Sequence, residues 1–395
     1  MNERRLLLRW CALAGLPALP GLLLPTRALA AVPRPDTPHT PPRTVLAPRP
    51  LRFPQDHGAH PDSRTEWWYA TGWLRPPASA AGDRNDDLVG FQLTFFRSRT
   101  DVAGGNRSRF AATQLLFAHA AVSDLAGRRL VHAERIARWN GDPQAARVAA
   151  ALADTDVRLN DWHFRREGPV ERSVYSARLA DRDAGFGFEL QLATTQPLLL
   201  QGDAGWSRKG PNEDEASHYY SQPQLAVQGT LALKAGAAPQ PVRGTAWLDH
   251  EWSETLLNTD AVGWDWIGMN LDDGSALTAF QLRRRDGTAL WAGGSFRAAG
   301  GAVRAFKADE VRFVPGRSWT SPATRSVYPV QWTVETPAGR FEVRALIDAQ
   351  ELDSRASTGS IYWEGLSELL DAASGRRVGR GYLEMTGRAS PLRLG

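Results

Sequence analysis

The chain has 395 residues, 42% of them hydrophobic and 23% charged, with a formal net charge of +4. Residues 1–30 hold four arginines against one glutamate, so the remainder carries a net charge of about +1, with no basic run. That near-neutrality excludes nucleic-acid binding, and the sole cysteine, Cys11, leaves residues 31–395 with no thiol for disulfides, zinc or nucleophilic catalysis.

In chain order, Arg4-Arg5 precede Leu6-Leu7-Leu8 and an apolar run ending in Ala28-Leu29-Ala30, the pattern of a cleaved export signal over 1–30. The paired arginines fit the twin-arginine route, with an ordinary secretory signal as the other reading. Periplasmic or secreted localisation follows, with no transmembrane helix in the mature chain. Residues 31–54 contain eight prolines and read as an extended, mobile leader.

From residue 55 onward, short β-branched and aromatic runs alternate with Gly, Asp and Asn. They predict strands over Glu66–Leu74, Leu88–Arg99, Gln114–Ser123, Val174–Asp181, Phe186–Thr194 and Leu225–Leu233. Further on they predict Arg243–Trp252, Trp264–Leu271, Ala276–Arg284, Leu290–Phe296, Tyr328–Glu335, Phe341–Asp348, Ile361–Leu370 and Gly381–Thr386. Asp272-Asp273-Gly274, Arg285-Asp286-Gly287 and Pro337-Ala338-Gly339 signal tight hairpins. The one helix predicted is Pro143–Leu152, opened by Asp142. The pattern is all-β, in two units of 55–240 and 241–395 divided at a Gly/Ala/Pro-rich seam.

Three stretches concentrate chemistry. Asp56 to Tyr69 holds His57, His60, Glu66, Trp67, Trp68 and Tyr69; Arg64 and Glu66 read as a structural ion pair, and the His57/His60 spacing matches no standard zinc pattern. In the run from Trp247 to Trp252, strand alternation places His250 and Trp252 on one face and Asp249 and Glu251 on the other. In Gly263-Trp264-Asp265-Trp266, an Asp265 buried against indoles would hold its proton near neutral pH. Tyr219 lies in a polar segment able to line the same mouth. Glu364 and Glu384 read as structural members of closing strands.

These stretches, with Gly90 to Arg97, Tyr362-Trp363-Glu364-Gly365 and Gly381 to Gly387, resemble the carotenoid 1,2-hydratase (hydroxyneurosporene synthase)/AttH family of secreted hydrolases. The resemblance spans roughly residues 50 to 388. It implies two tandem lipocalin-like (calycin) antiparallel β-barrels and a ligand cavity between or within them. It implies a cofactor-free, metal-free hydratase or hydrolase acting on an isoprenoid or lipid-like substrate, with Asp265 as acid beside His250, Asp249 and Glu251. Trp252, Trp264, Trp266, Trp67, Tyr69, His60 and Tyr219 would bind that substrate. The association of AttH-like members with ABC-transporter permeases implies such a partner, and a non-catalytic carrier of an apolar ligand is the alternative. An enzyme of this kind predicts that Asp249, His250, Glu251 and Asp265 converge on one cavity; a carrier leaves them pointing apart.

Overall fold

The computed structural model describes residues 46–77, 85–100, 112–255 and 257–392, so the expected signal and most of the Pro-rich leader lie outside the described residues. All regular structure in the described residues is strand, apart from four three-residue 3-10 turns.

The first sheet contains β1 (Thr65–Arg75), β2 (Val89–Arg99), β3 (Gln114–Asp124), β4 (Arg129–Trp139), β5 (Val148–Ala150), β6 (Asp156–Leu159), β7 (Trp162–Glu167), β8 (Val174–Asp181) and β9 (Phe186–Ala193). It also contains β10 (Leu199–Leu200), β11 (Trp206–Arg208), β12 (Ala216–Ala232) and β13 (Gln240–Ser253). They run antiparallel in the order β4-β3-β2-β1-β13-β12-β9-β8-β7-β6-β5, with β10 and β11 paired to β12, and curve into a nearly closed barrel.

The second sheet contains β14 (Ala261–Leu271), β15 (Ala276–Arg284), β16 (Ala289–Arg297), β17 (Val303–Phe306) and β18 (Arg312–Pro315). A separate pair, β19 (Ser318–Thr320) and β20 (Val327–Pro329), follows; β21 (Gln331–Thr336), β22 (Gly339–Ala345), β23 (Glu351–Ser354), β24 (Ser360–Asp371) and β25 (Arg377–Met385) complete the second sheet. Its order is β17-β16-β15-β14-β25-β24-β22-β21-β18, with β23 on β24.

Alternating side chains explain the layering. One face of each sheet fills its own interior: Phe91, Phe95, Trp162 and Leu248 in the first barrel, and Ile267, Met269, Trp332 and Met385 in the second. A third apolar cluster, including Tyr69, Trp247, Trp266, Phe280 and Tyr382, lies where the outer walls meet. Polar ties hold that seam: the Gln224 side-chain amide donates to the carbonyls of Leu271 and Ser275, and the Asn270 amide donates to that of Ala246.

Two of the expected hairpins turn on left-handed glycines, Gly274 at φ 87° and Gly287 at φ 86°. Other expectations need correction. β13 pairs with β1 and β12, so Gln240–Ser253 belongs to the first sheet, and the changeover falls at 254–260 instead of 240/241. No helix forms over Pro143–Leu152. Asp142 accepts the Gln144 N–H at 2.9 Å in an Asx turn, and Val148–Ala150 pairs with β6, burying Ala149 and Ala150. The end of the expected mobile leader packs on the first barrel, where Arg49 pairs with Asp56 at 2.7 Å.

Candidate functional site between the two barrels

The residues singled out by sequence separate into three polar clusters, sorted by the face of the strand on which each sits.

The first fills one end of the first barrel. Glu66 is fully buried and accepts from His60 Nδ1 at 2.8 Å, His250 Nε2 at 2.9 Å and Arg97 Nε at 2.8 Å. Burial would raise the Glu66 carboxyl, but the charges of His60 and Arg97 hold it well below the usual range. Burial alone would lower His60; Glu66 and Asp56 hold it above its ordinary value instead. His60 stacks on Trp252, with ring centroids 3.6 Å apart. His60, Glu66 and His250 present ligand atoms within 4.8 Å of one another, the dimensions of a metal site. Arg97 shares that carboxylate, however, and the histidine nitrogens facing it are already engaged, so the set is complete as an ion network. Glu66 thus pairs with Arg97 and two histidines.

The second lies inside the second barrel. Asp265 is fully buried, but it is the shared anion of Arg283 Nε and Arg388 Nη2, each at 2.8 Å, and accepts from the Gln281 amide at 2.8 Å. The expected neutral acid is therefore an ion-paired carboxylate. It shares an interior with Ile267 and Met269, whereas His250 shares the other barrel's interior with Trp68. The four residues expected to converge do not: each barrel wall sends alternate side chains to opposite sides.

The third cluster lies between the walls and gathers the remaining predicted residues. Tyr69 and Asp249 are direct cross-strand partners, as are Trp67 and Glu251. Asp249 accepts from Tyr219 Oη at 2.7 Å, Ser221 Oγ at 2.5 Å and Trp247 Nε1 at 2.7 Å. Burial outweighs these three donors and pushes its carboxyl up to about 7. Glu251 accepts from Ser217 and pairs with Lys209 Nζ at 3.0 Å. The second barrel contributes Trp266, which donates to Tyr219 Oη at 3.3 Å, and Trp264, which donates to Glu384 Oε1 at 3.2 Å.

Glu384 and Glu364, the two acids that sequence reading assigned to structure, complete this chamber. They are direct cross-strand partners on β25 and β24. Burial and the carboxylates of Asp249 and Glu251 push Glu384 up to about 8. Burial and its neighbour Glu384 push Glu364 well above the carboxylate range. Gln92 Nε2 reaches across from the first barrel and donates to Glu364 Oε2 at 2.5 Å. Around this contact Tyr69 Oη, Thr71 Oγ1, Gln92 Oε1, Thr94 Oγ1 and Glu364 Oε1 are all buried, with the Tyr69 hydroxyl in hydrogen-bonding reach of Glu364 and of Thr71. Tyr69 pairs across strands with Thr94, and Thr71 with Gln92, so these atoms share one face. Buried polar atoms are nearly always satisfied, so these side chains form one polar patch within an otherwise aromatic seam.

An open cleft of about 930 Å³ adjoins the chamber, walled by Leu46, Trp206, Phe280, Trp291 and Phe306. Phe280 joins the two: Lys209 Nζ lies 4.3 Å from its ring centroid and 4.6 Å from that of Tyr219.

The family model described as AttH-like matches residues 44–388. The chain belongs to the AttH-like family. Its fold is similar to that of an AttH protein from Nitrosomonas europaea, with 45% sequence identity and a TM-score of 0.76, over 87% of this chain and 99% of that one. It is also similar to kievitone hydratase from Nectria haematococca, with 14% identity and a TM-score of 0.62, over 85% of this chain and 92% of that one. At that identity the likeness shows the shared fold of two lipocalin-like barrels. None of the curated proteins matches the chain. In this AttH-like chain, sequence reasoning passed over Gln92, placed Lys209 only in a polar loop near the mouth, and read Glu364 and Glu384 as structural. For Gln92, Glu364 and Glu384 the available signal was a polar residue alternating with core aromatic and aliphatic residues along a strand, on the face turned away from its own barrel's interior.

Proposed function

We propose that this AttH-like protein is a hydratase-like acid catalyst that adds water to an apolar substrate held between its two barrels, without a cofactor. The observation that carries the reading is the Glu364–Glu384 pair, two adjacent carboxyls enclosed among aromatic rings and pushed toward their neutral forms. A neutral carboxyl can donate a proton near pH 7, which an ordinary glutamate in water does poorly.

In this reading one of the pair protonates a carbon–carbon double bond, leaving a glutamate anion and a carbocation. The indole faces of Trp264 and Trp266 stabilise the cation. Water adds to the cation and gives its surplus proton to Asp249, whose value near 7 suits that step. The product is an alcohol, heavier than the substrate by one water, and solvent exchange returns the carboxyls to their starting states. The name of kievitone hydratase, a protein of the same fold, fits this chemistry. The reading carries with it export through the Arg4-Arg5 leader to the periplasm, and supply of the apolar ligand by a membrane permease.

One observation favours a second reading, a carrier: Asp265 and His250 point away from the chamber into separate interiors. Mass spectrometry of small molecules co-purifying with wild type, Glu384→Gln and Glu364→Gln separates the two. An enzyme holds substrate in the variants, and either nothing or a product one water heavier in wild type. The same ligand in all three identifies a carrier and overturns catalysis.

A further inference from the structure

A directional chain of hydrogen bonds crosses the seam behind Glu364. At its outer end Ser357 Oγ donates to the half-buried carboxylate of Glu134. Ser357 Oγ lies 2.8 Å from His119 Nε2, and His119 Nδ1 lies 2.9 Å from Tyr362 Oη. Gln92 Nε2 donates to Tyr362 Oη at 3.2 Å and to Glu364 Oε2 at 2.5 Å.

The donor directions follow from this geometry. Glu134 offers only lone pairs, so the Ser357 hydrogen points to it, and Ser357 accepts from His119 Nε2–H. The bare Nδ1 then accepts the Tyr362 hydroxyl hydrogen, and Tyr362 accepts from Gln92. Burial pushes His119 down to about 3, consistent with a neutral ring of one tautomer. Both hydrogens of the Gln92 amide are thereby committed, which fixes which way the amide faces.

We propose that Gln92 is a positioning residue: by donating to Oε2 of Glu364 it leaves the carboxyl proton on the other oxygen, Oε1, and Tyr362 and His119 hold Gln92 in that orientation. The inference rests on the acid reading above and adds which oxygen delivers the proton and what selects it. Glu134, His119 and Gln92 come from the first barrel, Ser357, Tyr362 and Glu364 from the second. Docking of the two halves therefore aims the acid.

The test is infrared spectroscopy of the purified full-length protein at pH 6. The carboxylic-acid C=O band of Glu364 is assigned by its loss in Glu364→Gln. In Gln92→Leu the carbonyl loses its donor, and the band shifts to higher wavenumber. In Tyr362→Phe, which keeps the Gln92–Glu364 contact but frees the amide to turn, the band splits in two. Should Gln92→Leu not fold, Tyr362→Phe decides the matter alone. An unmoved band in Gln92→Leu, or an unsplit one in Tyr362→Phe, overturns the positioning role while leaving a neutral Glu364 intact. Absence of the band from wild type overturns the acid reading itself.

Discussion

Glu364 and Glu384 sit opposite each other on adjacent strands, facing a wall that contributes two more acids, Asp249 and Glu251. Lys209, on Glu251, is the one lysine among the described residues that pairs with any of the four. Directly opposed like charges are unfavourable on a sheet, so Glu364, Glu384 and Asp249 persist there by keeping protons.

That retention has a thermodynamic signature. Glu384 moves from an ordinary 4.5 to about 8 and Asp249 from 3.8 to about 7, so the folded protein binds more protons than the unfolded chain across that interval. Stability is then greatest below pH 4 to 5 for these groups and falls as pH rises towards 8. Glu384→Gln should flatten the fall and be more stable than wild type at pH 8. Denaturant titrations at pH 5, 6, 7 and 8 check this; parallel wild-type and variant curves would show that Glu384 ionises normally.

Gly268 is required by the Trp266 indole. A Cβ at that position would stand 2.4 Å from Cη2 of the ring and 3.2 Å from Trp247. Gly268→Ala should cost about 1–3 kcal/mol through overpacking and displace the indole from Tyr219 Oη. Thermal melts together with the tryptophan emission spectrum report both effects, and an unchanged melt would mean that the wall yields easily.

Glu66→Gln should destabilise the protein by about 3–5 kcal/mol, because Arg97 would remain fully buried without its carboxylate. The Glu364 infrared band should not move, since Glu66 faces the other side of the wall. A loss below about 1 kcal/mol would show that the network relaxes around the change.

Asp265→Asn leaves Arg283 and Arg388 without their shared anion and should cost a similar 3–5 kcal/mol. Its co-purifying molecules should match those of wild type. Substrate accumulating in Asp265→Asn as in Glu384→Gln would restore Asp265 as the acid.

Much of the fold was legible because hairpin glycines and strand alternation are local signals. The same alternation correctly split His250 and Trp252 from Asp249 and Glu251. β4 was missed because its polar and apolar residues mix at a sheet end, leaving it mostly half-exposed. Asp265 was misread because its arginines come from β15 and from beyond β25. Glu364 looked structural because Gln92, the group that gives it a direction, is 272 positions away in the chain. Charge neutrality at a site is set by what faces it, and single-sequence spacing reports only what precedes and follows.

The seam between the walls has a consequence for how such a protein arises and how it fails. Each half supplies two of the four acids, and three of them, Asp249, Glu364 and Glu384, owe their raised values first to burial. Pulled apart, these three would meet water and behave as everyday anions, so acidity here is an emergent property of assembly. A substitution that merely loosens the fit, far from any carboxyl, would switch off proton donation while leaving every reacting group in place.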